Sequence, residues 1–185
     1  MALAEMGAEV IKIEAPEGEA FRKYGAPRPE LDNQGAAFLW ANRNKKGIAL
    51  DLKTAEGAKI ARDLVRTADV VIENFSAGVM ARFGLGDEDL RREQPDLIYC
   101  AISAYGQTGP FADRLGFDPV VQAESGFMSL NGDADQDGMR TQPVIMDIST
   151  GMMATNAILA ALLGRGVSGK GQRVDISLYE TAITM

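Results

Sequence analysis

Apolar positions in this chain switch between two spacings, and the switches mark its elements. Ala2–Met6 reads as the end of a helix stopped by Gly7, and Val10, Ile11 and Ile13 follow as a short strand closed before Pro16. Proline, glycine and charge crowd residues 15–36, which predicts a long irregular segment of the kind that often carries function. Ile48, Leu50 and Leu52 alternate as a strand, with Arg43, Lys45 and Lys46 just before it. "KTAEGAKIARDLVRTA" is an amphipathic helix with Thr54 as N-cap and Ile60, Leu64 and Val65 on one face.

"DVVIENF" and "DLIYCAISAYG" are continuous apolar runs with polar ends, the pattern of buried parallel strands. Between them, "SAGVMARFGLGDEDLRREQP" holds two short helices around a glycine turn. A helical "DPVVQAESGFMSL" and a polar loop "NGDADQDGMRTQP" lead to a long apolar helix expected to begin near Ser149 to Gly151. "GRGVSGKGQ" reads as a tight polar turn, and "GQRVDISLYETAITM" as a strand leading into a helix. This alternation predicts an α/β fold: a Rossmann-like, mostly parallel sheet flanked by helices. Ligands of such sheets sit at the carboxyl ends of the strands. Here those ends carry Lys53, Asn74 with Phe75, and Tyr105 with Gly106. Opening on the last turn of a helix is unusual, and suggests a first strand that precedes Met1.

Composition removes whole classes of chemistry. The 185 residues include no histidine, which excludes Ser-His-Asp and Cys-His triads and most zinc sites. Catalysis must then run on carboxylates, amines, hydroxyls or backbone. The net charge of −7 argues against nucleic acid as a partner. The lone cysteine, Cys100, lies in an apolar strand and is expected to be buried and inert. The best apolar run, Gly151 to Leu163, falls short of the roughly 18 residues of a membrane span. No secretory leader is evident, so a cytoplasmic setting without membrane association is expected.

Two nucleotide motifs are absent. "GRGVSGKGQ" has Gly171 where a P-loop needs Ser or Thr, and no glycine fingerprint follows a strand. "DADQD" (133–137) resembles a calcium loop but lacks the closing glutamate, so no metal is expected there. What remains is "ENFSAGVMAR". Asn74 can donate and accept, Phe75 offers a ring face, and Arg82 offers a planar cation, a set suited to a nucleotide-like ligand or to a polar turn. Asp147 follows three apolar residues and precedes the long helix. One reading makes it a capping residue. The other makes it a desolvated nucleophile able to attack an activated carbonyl, with helix N–H groups stabilising the charge that develops.

Six segments resemble the family III CoA-transferases, the family of formyl-CoA transferase and carnitine CoA-transferase that also contains α-methylacyl-CoA racemase. They are "MGAEVIKIEAP", "NRNKKGIALDLKTAEG", "ADVVIENFSAGVMARFGL", "PDLIYCAISAYGQTGP", "GFDPVVQAESGFMSLNG" and "MDISTGMMATNAILAALLGRGVSGKGQRVDISLYETA", in family order over nearly the whole chain. The resemblance implies that Asp147 is the catalytic aspartate, forming covalent acyl and CoA intermediates. It implies CoA contacts at Leu50, Asp51, Leu52 and Lys53, at Asn74, Phe75 and Ser76, and at Arg82. The stretch Gly116 to Asp118 matches a further CoA contact, but Leu115 stands where some members carry a basic residue. Coenzyme A or acyl-CoA would be a substrate, with a carboxylic acid as acceptor and no permanently bound cofactor. The resemblance further implies an interlocked homodimer. Residues 1–185 would form the N-terminal part of its large CoA-binding domain, without the first strand and the C-terminal half.

The racemase branch uses a histidine–aspartate pair. Phe117 occupies the histidine position here, which disfavours that activity. A CoA-binding or assembly fragment without chemistry is the alternative to a transferase.

Overall fold

The computed structural model describes residues 1–133 and 135–185; Ala134, within the "DADQD" segment, lies outside the described residues. The chain forms two compact units, Met1–Leu64 and Val65–Met185. Each is mixed α/β with a parallel sheet, as the alternating pattern predicts, and the first unit adds a short antiparallel pair in its irregular segment.

The first unit contains α1 (Ala2–Glu5), β1 (Val10–Glu14), β2 (Pro27–Arg28), β3 (Gln34–Gly35), α2 (Ala36–Ala41) and β4 (Lys45–Ala49), and runs into α3 (Ala55–Val65). Gly7 ends α1 with a φ of +99°, open to a residue without a side chain. β1 pairs with β4 in parallel, with Ile13 opposite Ile48 and Glu14 opposite Ala49 as the last pair. Leu50 and Leu52 therefore leave the strand that their alternation predicts: the pairing ends at Glu14 and Ala49, two residues before Pro16, which has no N–H to donate to a ladder. The Leu50 N–H still donates to the Glu14 carbonyl at 2.8 Å.

Beyond it Asp51 turns the chain, accepting from the Lys53 N–H at 3.0 Å. Thr54 caps α3 as expected, its Oγ1 accepting from the Gly57 N–H at 3.0 Å. The buried edge of α3 is Gly57 and Ala61, whereas Ile60 is exposed, contrary to the face expected from spacing. The cause is Gly57: a β-carbon there would collide with the Asp51 carbonyl, so the helix leans on that edge.

The irregular segment 15–36 is pinned rather than loose. Glu14 accepts from Arg22 Nε at 2.8 Å and Nη2 at 3.0 Å, and from the Glu19 N–H at 3.2 Å. These bonds, led by Arg22, hold the Glu14 carboxyl below its ordinary range. Arg22 also lies over the Phe38 ring of α2, a helix that the sequence pattern did not separate from the strand after it.

The second unit contains β5 (Val70–Glu73), α4 (Val79–Arg82), α5 (Asp87–Glu93), β6 (Ile98–Ser103), α6 (Asp118–Glu124), α7 (Ile145–Ser168), β7 (Arg173–Ser177) and α8 (Leu178–Thr184). Its sheet has the order β5-β6-β7, all parallel. The central strand β6 buries Ile98, Tyr99, Cys100 and Ala101. Burial pushes the Cys100 thiol up to about 12, so it carries no thiolate at neutral pH. β5 is an edge strand, which leaves Ile72 half exposed where a fully buried strand was expected.

α7 is longer than its pattern suggested. It begins at Ile145, not near Ser149, and it continues through Gly164 and Gly166 to Ser168. Only Gly169, with φ of +69°, stops it. The polar turn expected from residue 164 is thus confined to its second half. Gly171 then passes against the Leu97 carbonyl, where no β-carbon fits. By length and composition alone α7 could cross a membrane, since an 18-residue window has mean hydropathy 1.4. Yet Met146, Thr150, Ala154, Ile158 and Ala161 form one buried line, and Met146 joins Val121, Leu178 and Ala182 in the core of this unit. That line packs one face of α7 into the unit, while Met152, Leu159, Leu163 and Val167 on the rest of the helix are exposed.

Candidate active site

The carboxyl ends of β5 and β6 meet the loop before α6 around a small cleft of about 110 Å³. Asn74–Ala77 follow β5, Ser103–Tyr105 end β6, and Ala112 with Arg114–Gly116 complete the lining. Buried Glu73 fixes the first group, accepting from the Phe75 N–H at 2.7 Å. Asn74 Nδ2 donates to the Ile102 carbonyl at 2.9 Å, which leaves its amide oxygen for another partner. Close approach of the loop depends on Gly116: a β-carbon there would lie 2.8 Å from both Ala104 Cβ and Tyr105 Cε2.

Of the residues singled out in the sequence, Asn74, Phe75 and Ser76 come together in this cleft. Arg82 is exposed at the end of α4 and is not part of the lining. Leu50–Lys53 belong to the first unit, at the carboxyl end of β4, with Lys53 exposed. A larger cavity in the first unit, about 450 Å³ and lined by Arg22, Lys23 and Asp32–Gln34 among others, contains none of the singled-out residues.

Asp147 is not a cap. It is the third residue of α7, and the capping position belongs to Val144, which has no side-chain bond to offer. The cap arrives from far along the chain. Asp118, 2% exposed, accepts from the Met146 N–H at 2.7 Å and from the Asp147 N–H at 3.2 Å. Its other oxygen accepts from Gln122 Nε2 at 2.5 Å. Buried Gln122 in turn accepts from the Thr141 N–H at 2.9 Å, which ties down the loop that enters α7.

Each N–H of the first turn has a partner. Ile145 donates to Pro143, Met146 and Asp147 donate to Asp118, and Ile148 donates to Val144. The helix N–H groups expected to stabilise developing charge are therefore already engaged, a correction to the simplest reading of this helix terminus.

The Asp147 carboxyl is released from capping and made more basic. Burial of its inner side, and secondarily the negative charge of Asp118, push it up to about 6, although the residue keeps an exposed outer face. A carboxylate of this kind is ionised at neutral pH, reachable from solvent and held on a rigid helix. Chain continuity joins it to the cleft: Gly116 lines the cleft, and Asp118, two residues on and so within about 7 Å along the backbone, caps α7.

Asp118, Gln122 and Arg114 are the members of this region whose roles local pattern did not give. "FDP" marks the start of α6, with Pro119 in its first turn, but nothing local says that the carboxylate serves a helix 28 residues later.

The family model for CoA-transferase family III matches residues 1–185. The succinate–glutarate CoA-transferase of Agrobacterium fabrum is 49% identical over 183 residues, covering 96% of this chain and 46% of that protein. The succinyl-CoA:glutarate CoA-transferase of Mus musculus is 40% identical, covering 99% of this chain and 42% of that protein. A CaiB/BaiF family protein from Brucella suis superposes with a TM-score of 0.94 at 40% identity, over 99% of this chain and 49% of the other. The chain thus spans about half the length of the curated relatives it matches.

Proposed function

Because this chain belongs to CoA-transferase family III, we propose that it supplies the nucleophile and part of the CoA site for moving CoA from an acyl-CoA to a carboxylic acid. The observation that carries the reading is Asp147: an accessible carboxylate of raised basicity, relieved of capping by buried Asp118.

In the reaction, an Asp147 oxygen attacks the thioester carbonyl and the C–S bond breaks, giving an aspartyl–acyl anhydride and CoA thiolate. The thiolate then attacks the aspartyl carbonyl. It forms an aspartyl-CoA thioester and releases the first acid with one oxygen taken from Asp147. The acceptor carboxylate repeats the sequence in reverse. It attacks the aspartyl thioester, releases thiolate, and is captured by it as the new acyl-CoA. No proton has to be moved by a histidine at any step.

Leu50–Lys53, Asn74–Ser76 and Arg82 hold CoA in this proposal, with Lys53 and Arg82 toward its phosphorylated nucleotide. The residues form the N-terminal part of a large CoA-binding domain within an interlocked homodimer, in a cytoplasmic setting. The names of the similar transferases favour dicarboxylic acids such as succinate and glutarate as the acyl groups exchanged.

The test is trapping. The protein is mixed with succinyl-CoA, quenched with hydroxylamine and mapped by mass spectrometry. A hydroxamate at Asp147 is expected. A hydroxamate at another carboxylate, with Asp147 unmodified, would contradict the assignment.

A further inference from the structure

The cleft beside β6 holds an ion pair that the transfer steps do not use. Arg114 is the one charged residue in its lining among the described residues. The guanidinium lies over the faces of Tyr105 and Phe111, with centroid distances of 5.1 and 4.9 Å. Its Nη2 donates to Glu124 Oε1 at 2.5 Å. The Tyr105 hydroxyl donates to the other oxygen of the same carboxylate at 2.6 Å. One carboxylate, at the last position of α6, therefore holds both polar groups that Tyr105 and Arg114 bring to the cleft.

This arrangement suits an exchangeable anion site. A guanidinium has five N–H donors in a planar fork that matches phosphate, and stacking on two rings fixes the plane of this one. The Arg114 side chain is 46% exposed, so an incoming anion can reach it, and Glu124 is 32% exposed, so it can re-solvate once released. An exposed pair of this kind is worth little in stability, which makes the exchange inexpensive. Leu115 is 82% exposed and supplies no charge, so the cation comes from the residue before it.

We infer that Glu124 is a built-in competing anion, and that a phosphate group of CoA takes Arg114 from it on binding. This rests on CoA being the ligand of the cleft. Glu124 then sets the affinity for CoA from outside the reacting atoms, while Arg114 selects for the phosphorylated ligand over its pantetheine arm.

The experiment is calorimetric titration of the protein with CoA, dephospho-CoA and pantetheine. Arg114→Ala weakens CoA about 10-fold and leaves pantetheine unchanged. Glu124→Gln, which keeps an acceptor for Tyr105 but removes the charge, tightens CoA about 3-fold. A gain of affinity cannot come from misfolding, so the second variant keeps the test decisive if the first unfolds. Dephospho-CoA assigns the partner: if it loses the dependence on Arg114, the 3′-phosphate is bound, and if it keeps it, the diphosphate is. Unchanged or weaker CoA binding in Glu124→Gln overturns the inference. Should Asn74→Ala weaken CoA while neither ion-pair variant changes its affinity, this inference alone fails. Failure of the unaltered protein to bind CoA would contradict the CoA reading as well.

Discussion

Asp147→Asn abolishes CoA transfer, by about 10⁴-fold or more, and at the same time makes the protein more stable at neutral pH. The first effect follows from loss of the attacking oxygen, for which an amide is no substitute. The second follows from linkage. The folded carboxyl titrates near 6, whereas its ordinary value is 3.8. Folding therefore disfavours the charged form. Below about pH 4 both folded and unfolded chains carry a protonated Asp147 and nothing is lost. Between about 4 and 6 the unfolded chain ionises first, stability falls, and above 6 the loss is complete. Asparagine removes that penalty. Its melting temperature matches the parent near pH 4 and exceeds it at pH 8, with the difference opening across that window. Thermal melts at the two pH values, beside a transfer assay, check both halves. Equal stability at pH 8 would show that Asp147 is not held at a cost.

Asp118→Ala has the largest effect on folding. It strands three donors in the interior of the second unit: the Met146 and Asp147 N–H groups and Gln122 Nε2. A buried donor without a partner costs about 1–3 kcal/mol, and a lost helix cap about 1. Two of these donors are the cap itself and the Asp147 N–H is only partly buried, so the total stays at the low end, about 3–5 kcal/mol, and lowers the melting temperature by about 10 °C in a domain of this size. Asp118→Asn retains one carbonyl acceptor and falls between. The Asp147 carboxyl returns toward its ordinary range in Asp118→Asn because a neighbouring negative charge has gone, so the lower limb of the pH–rate profile moves to lower pH. An Asp118→Ala protein as stable as the parent would refute the capping role.

How far the sequence could be read depended on the range of the interaction concerned. Thr54 was legible as a cap because the residue that it serves, Gly57, lies three positions away. The start of α7 was not, because its cap is Asp118, 28 residues upstream of Met146, while Ser149 and Thr150 imitate a local cap. β6 was legible because a central strand is apolar on both faces. β5 carries the same continuous run but lies at an edge, so Ile72 shows solvent a side chain that its pattern would bury. β4 stops at Ala49 for a reason held in β1, whose last residue is Glu14.

At the site, strand ends and family resemblance together indicated Asn74–Ser76 and Asp147. The Arg114–Glu124–Tyr105 cluster joins a loop, a helix end and a strand end, and no spacing in one stretch of sequence announces it. The cap is also what separates the two readings of Asp147. A carboxylate that is capping a helix is engaged, and one whose helix is capped by another carboxylate is free for chemistry.

The central claim, that an Asp147 oxygen enters and leaves the reaction, is tested most directly with isotope. The protein is given an acyl-CoA donor and an acceptor acid labelled with ¹⁸O in its carboxylate, and the peptide containing Asp147 is weighed after turnover. The account predicts one heavy oxygen in Asp147 after a single cycle, delivered when thiolate takes the acceptor's acyl group from the anhydride. New acyl-CoA formed while Asp147 keeps both of its original oxygens would contradict it.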